Sequence, residues 1–180
     1  MTAFLPWFKP VLGQLCWGGE DVGINGWLVL QIGRPHLDVA DLPSSRAPTD
    51  RIVLARGQWT LTIFDYCDWT LEERGRRVGG SSSTRRSRLA GDVLTGQKLV
   101  DVTLAARSAR TQFAFDLGAI LTTIPRDRRS YQWSLRTPGV RRGWRRSPLD
   151  GKDLVFRADR HYSYERWRAG AADKIRCRAA

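Results

Sequence analysis

Cysteine is scarce in this chain: three in 180 residues, at Cys16, Cys67 and Cys177, with no C-x-x-C pair among them. An odd, widely spaced set excludes a sequence-local zinc knuckle and supplies no disulfide framework. The plain reading is buried free thiols in a reducing cytoplasm. Histidine is scarcer, with His36 and His161 alone. Lysine numbers four (Lys9, Lys98, Lys152, Lys174), so nearly all the positive charge is arginine. No stretch approaches the roughly 20 consecutive apolar residues of a membrane-spanning helix. The opening MTAFLPWFKPVLGQLCWGG lacks a basic n-region and is broken by Pro6 and Pro10, which makes it a poor signal peptide. These absences set the expectation of a cytoplasmic protein with no membrane partner, no metal and no cofactor.

What is present fits a folded chain. Hydrophobic residues make up 42% and charged residues 27%, with eight tryptophans, which is a globular and not a disordered composition. Large indoles belong to cores more often than to sites. The length suits a single domain over 1–167, followed by a flexible basic tail over 168–180. The net charge of +12 is uneven: residues 1–80 carry eight basic and nine acidic groups, and residues 81–180 carry 22 and nine. Arginine at this density favours bidentate contacts with phosphate or carboxylate, although a GC-rich genome produces the same bias.

Periodicity places the elements. A short helix is expected over Val11–Trp17, after Pro10 and ended by Gly18-Gly19. WLVLQIG sets Leu28, Leu30 and Ile32 on one face of a strand and Trp27, Val29 and Gln31 on the other. ADLPSSRAPTD (40–50) reads as a loop. RIVLAR and QWTLTIFD, separated by Gly57, form a hairpin or one bulged long strand, and CDWTLEE continues the meander. RGRRVGGSSSTRRSR is a low-complexity break, with a basic loop over 81–88. Ser83 or Thr84 caps a helix from about Arg85 to Leu94, with Leu89, Val93 and Leu94 facing inward and Arg85, Arg86 and Arg88 facing water. Further strands group Val100, Val102 and Leu104; Phe113, Phe115 and Leu117; and Tyr131, Trp133 and Leu135. A turn near Asp116–Gly118 leads into AILTTI, and DLVFRA follows Asp150-Gly151. Short strands joined by tight turns imply antiparallel pairing. The expected fold is α+β: a single domain built on one curved, mainly antiparallel sheet of roughly seven to nine strands, with one or two short helices.

Arg56-Gly57, Trp59-x-Leu61-x-Ile63, Cys67-x-Trp69, Leu94-x-Gly96-Gln97-Lys98-Leu99, Phe113-x-Phe115-Asp116-Leu117-Gly118, Trp133-x-Leu135 and Arg157-Ala158-Asp159 with Tyr162-Ser163 occur in that order. Together they resemble a group of small bacterial proteins of unknown function, with Arg160 standing where that group has a glycine. The resemblance covers roughly residues 25 to 165. It implies a bacterial, single-domain α+β protein and no particular activity.

Candidate chemistry is thin, and no catalytic signature stands out. Gly91 to Lys98 approaches a phosphate-binding loop, but Gln97 intervenes and a helix C-terminus carries the wrong partial charge for phosphate, so it reads as a helix stop. Asp65 and Asp68 flank Cys67, and neighbouring carboxylates hinder thiolate formation, so a packed cysteine is the better reading. The same acids with His161 are a remote metal candidate. In RADRHYSYERW, an extended backbone turns His161, Ser163 and Glu165 one way and Tyr162, Tyr164 and Arg166 the other; His161 and Glu165 serve as acid and base only if a pocket covers them.

The arginine clusters carry the functional expectation. They are Arg85, Arg86 and Arg88; Arg126, Arg128 and Arg129; Arg141, Arg142, Arg145 and Arg146 around Trp144; and Arg166, Arg168, Arg176 and Arg178. The first reading is a non-enzymatic binding protein that recognises an acidic protein partner through its basic C-terminal half. The alternative is nucleic-acid binding by the clusters at 85–88, 126–129 and 141–146, although no helix-turn-helix, KH loop or zinc finger is visible. An enzyme centred on His161 and Glu165 is the third, and a merely solubilising charge the bland one.

Overall fold

The computed structural model describes residues 5–21, 27–41, 51–81, 84–105, 108–127, 131–136, 153–157, 161–168 and 171–178. In chain order these form α1 (Leu5–Phe8), β1 (Cys16–Asp21), β2 (Leu28–Ile32), β3 (His36–Asp41), β4 (Arg51–Arg56), β5 (Trp59–Ile63), β6 (Cys67–Glu73) and β7 (Arg76–Gly80). There follow α2 (Thr84–Leu94), β8 (Leu99–Ala105), β9 (Arg110–Phe115), β10 (Ala119–Pro125), β11 (Tyr131–Arg136), β12 (Asp153–Arg157), β13 (His161–Arg168) and β14 (Ala171–Arg178). Every named strand pairing is antiparallel.

The strands do not form one sheet. Among the described residues they divide into a seven-stranded sheet (β1-β2-β5-β11-β12-β13-β14), a five-stranded sheet (β7-β6-β10-β9-β8) and an isolated pair, β3-β4. The expectation of a single curved sheet with seven to nine strands is corrected accordingly, while the mainly antiparallel character holds. The two large sheets share one apolar core. Leu28, Leu30, Ile32, Leu61, Ile63, Trp133 and Leu135 enter it from the first sheet, and Trp69, Leu71, Val102, Phe113, Phe115 and Leu121 from the second. Ala90 and Leu94 of α2 join them.

Trp133 ties the layers together. Its ring lies 5.7 Å from Phe113 and 5.4 Å from Phe8, both edge-on, and its Nε1 donates to Thr111 Oγ1 at 3.1 Å. The β11–β12 register shifts between Tyr131 and Trp133, and the intervening Gln132 is buried with partners of its own. Gln132 Nε2 donates to the Ala109 carbonyl at 2.9 Å and its Oε1 accepts from Thr123 Oγ1 at 2.9 Å, so the buried amide is satisfied at both ends.

Several local expectations are overruled by non-local partners. The helix expected over Val11–Trp17 is absent: the helical turn is α1, and Cys16 begins a strand. There Gly13 N donates to Leu99 O, Cys16 N to Gln97 O, and the Leu15 carbonyl accepts from Gly33 N. Backbone groups already taken by β8 and β2 cannot close a helix, which is how tertiary context defeats propensity. Gly18 is a positive-φ position at a bulge in β1 and ends nothing helical.

The low-complexity break is largely structured. Arg76–Gly80 is β7, paired with β6, and α2 starts at Thr84, so five of the eight residues of the expected loop at 81–88 belong to a helix. Within α2, Ala90 and Leu94 are buried and Leu89 is exposed, a small rotation from the expected face. Val100 is exposed because a bulge between Leu99 and Asp101 puts Leu99 in phase with Val102. Leu117 sits exposed in the turn, with Gly118 at φ +91°. Residues 171–178, expected as a loose tail, form β14 on β13. Most of the expected loop at 40–50 lies outside the described residues, although Ala40 and Asp41 close β3.

RIVLAR and QWTLTIFD are the two halves of one side of a long ribbon, closer to the bulged strand than to the hairpin. β5 pairs with β2 and β4 with β3. The register slips by one residue between the Ile32–Trp59 and His36–Arg56 pairs, with Gly33 at φ +83° on one side and Gly57 on the other. An extra residue on one strand bends a ribbon, and here the distal half leaves the seven-stranded sheet.

Candidate functional site

The ends of three adjacent strands collect aromatic rings. β5 finishes at Ile63, which pairs with Leu28 on one side and Trp133 on the other. Trp27 immediately precedes β2, Tyr131 opens β11, and Phe64 to Tyr66 make the turn from β5 into β6. That turn is pinned: Phe64 N donates to Gln132 O at 3.0 Å, and the Phe64 carbonyl accepts from Cys67 Sγ at 3.2 Å.

Phe64 is the hub. Its ring centroid lies 5.2 Å from Trp27 at 90°, 6.3 Å from Tyr131 at 67° and 6.5 Å from Tyr66 at 39°. Trp27 Nε1 donates to Asp65 Oδ1 at 2.8 Å, which locks the indole against the turn. Trp27 and Phe64 are half-buried, while Tyr66 is 51% and Tyr131 39% exposed. One residue beyond Cys67, Asp68 accepts from Arg126 Nε at 3.0 Å, both side chains being more than half exposed. The result is an aromatic surface with a rigid centre, two accessible phenols and one charged pair on adjoining elements. Offset and edge-on rings of this kind hold one another in place.

The expected arginine surface is only partly visible. Arg126 is on the described surface and is held by Asp68. Arg88 is exposed on α2. Arg85 and Arg86 fall in the first turn of α2, and their side chains lie outside what is described. Arg128, Arg129, Arg141, Arg142, Trp144, Arg145 and Arg146 lie outside the described residues altogether. Trp133, a few residues after the second cluster, is fully buried in the core. The aromatic group itself has no counterpart among the sequence expectations. Its signal lies in FDYCDW, where Phe64 and Tyr66 flank Asp65 in a turn and cannot both be core, but the acids around the thiol are the more conspicuous feature of that stretch.

The other chemical candidates resolve locally. Gly91 to Gly96 is the end of α2: Thr95 N donates to Gly91 O at 3.0 Å and Gly96 takes φ +87°, which supports a helix stop. Asp65 is engaged by Trp27 and Asp68 by Arg126. Among the described residues no three His, Cys, Asp or Glu converge as metal ligands. His161 and Glu165 lie in β13, four residues apart, and the strand rise separates such positions by roughly 13 Å. Among the described residues no helix is long and apolar enough to cross a membrane.

Cys16 and Cys67 are both buried and free. Burial pushes each thiol up to about 12 from an ordinary 9.0; at Cys67, Asp68 and Asp65 add to the rise and Arg126 opposes it. Neither supplies a thiolate at neutral pH. In a Cys177→Ser variant, a thiol-disulfide reagent at about pH 8 is expected to label the chain only as fast as it unfolds. Prompt labelling of the folded protein would contradict this burial. The sign of the pH effect follows. The unfolded chain loses these protons near 9.0 and the folded one near 12, so the thiols' contribution is complete below pH 9.0 and disappears as pH climbs through that interval.

Compared with family models, with curated proteins and with solved structures, the chain matches none.

Proposed function

We propose that this is a non-enzymatic binding protein that recognises an acidic protein partner, and that the partner seats on Trp27, Phe64, Tyr66 and Tyr131 beside the Asp68–Arg126 pair. The carrying observation is that aromatic cluster, rigid at its centre and exposed at two phenols. Tyrosine, tryptophan and arginine dominate the binding energy of protein interfaces because they bury much area at little rotamer cost. The net charge of +12 speeds encounter with an acidic partner without dictating the contact itself.

Single-stranded nucleic acid also stacks on aromatics flanked by arginine. The local pairing favours the protein reading: Asp65 accepts from Trp27 and Asp68 pairs with Arg126, so the guanidinium described there is already engaged and is not offered to a phosphate.

The test is affinity capture from a lysate with the wild-type chain and with Tyr66→Ala/Tyr131→Ala, followed by titration of the captured protein. Both residues are exposed, so the double variant is expected to fold normally and to weaken the partner at least about tenfold. Unchanged affinity would remove the patch from the interface. If an arbitrary single-stranded oligonucleotide binds instead, with affinity collapsing as salt rises, the nucleic-acid reading through the arginine clusters replaces this one.

A further inference from the structure

β3 and β4 pair with each other and, among the described residues, with no other strand. A lone two-stranded ribbon is marginal in water, and an apolar face on it calls for cover. One face of this ribbon is apolar and open: Leu37 is 73% exposed, Val39 58% and Val53 58%, with Ala55 exposed beside them. The register sets Leu37 opposite Ala55 and Val39 opposite Val53, so the four positions form a contiguous block. Leu54 and Arg56, which alternate to the other face, are half-buried. The open face therefore points away from the other described elements.

We propose that a second copy of this chain covers that face, the two arms stacking about a twofold axis that runs along the ribbon. Such an axis lays β3 of one copy over β4 of the other, and each position lies over the copy of its own cross-strand partner. Leu37 then meets the second copy's Ala55, large over small, and Val39 meets the second copy's Val53, equal over equal. At the distal end the register sets Asp41 opposite Arg51, so the same operation lays an acidic position over a basic one, twice. A twofold across the strands instead lays Leu37 over Asp41, apolar on charged. The register positions of this face hold one acidic and one basic residue, so they offer an acidic foreign partner no cationic surplus, whereas a second copy matches them position by position.

Three large apolar side chains are well short of a standard interface, so the dimer is weak, with Kd on the order of 10⁻⁵ M. Sedimentation velocity of the full chain over a concentration series reads it. Two copies at +12 repel, so association is expected to tighten as salt rises from about 0.05 M to about 0.5 M. Val53→Glu is expected to weaken the dimer at least about tenfold with little change in the melting temperature, since the residue is exposed. It also lowers the net charge, so long-range repulsion cannot explain the loss. Asp41→Arg is expected to weaken it several-fold, and adding Arg51→Asp to restore it. A wild-type chain that stays monomeric at about 1 mM overturns the proposal. So does a Val53→Glu chain that associates like wild type, or a double reversal that fails to recover.

Discussion

Trp133→Ala is expected to destabilise the fold by about 3–5 kcal/mol, the largest effect of any single substitution considered for this chain. The side chain is fully buried, and its ring meets Phe8 from the N-terminal segment and Phe113 from the five-stranded sheet, while its own strand belongs to the seven-stranded sheet. Truncation removes the largest type of core side chain where neither sheet can close the gap without moving relative to the other. It also leaves the Thr111 hydroxyl without its indole donor, a further cost of about 1 kcal/mol. In a domain of this size each kcal/mol lowers the melting temperature by about 2–4 °C, so a drop of roughly 10 °C or more is expected by calorimetry. A loss below about 1 kcal/mol would show that the two sheets do not share this core.

Gly57→Ala is expected to cost about 3 kcal/mol, the upper end for a single added carbon. A Cβ there would stand 2.6 Å from Ile32 N, 2.7 Å from Ile32 O and 3.0 Å from Trp59 O, and all three are backbone atoms that cannot rotate aside. Gly57 N also donates to Gln31 Oε1 at 3.0 Å, and the same oxygen accepts from Thr60 Oγ1 at 3.1 Å. The glycine is therefore needed where the ribbon bends. Urea unfolding monitored by tryptophan fluorescence measures the change. Wild-type stability in the alanine variant would mean that the ribbon accommodates a straighter path at the kink.

Part of the fold is legible in the residues alone. The alternation of Trp59, Leu61 and Ile63 against Thr60 and Thr62 correctly marks the inward face, because a strand's side chains alternate whatever its partners are. The same period puts Phe113 and Phe115 inside, and Gly96 reads correctly as the end of α2. The errors cluster where one residue breaks the period. A bulge at Leu99–Asp101 exposes Val100, and Gln132 is buried on the face of β11 opposite Trp133, and neither a bulge nor a second covered face is announced by propensity. β3 is not read from the sequence, since in HLDVAD the alternating apolar residues Leu37 and Val39 are only two and both are exposed.

The candidate site is less legible still. Sequence draws attention to arginine because charge can be counted, yet Arg126 is held by Asp68, 58 residues away. The aromatic surface depends on three strand ends meeting, with Trp27 and Asp65 separated by 38 residues. By itself the sequence determined the antiparallel β character, several of the core faces and the concentration of positive charge after residue 80, all of which depend on composition or on a two-residue period. Only the tertiary structure decided how the strands divide into sheets, which rings share a surface and which ribbon stands free, because strand pairing is settled by partners far along the chain and the period of two carries no information about them.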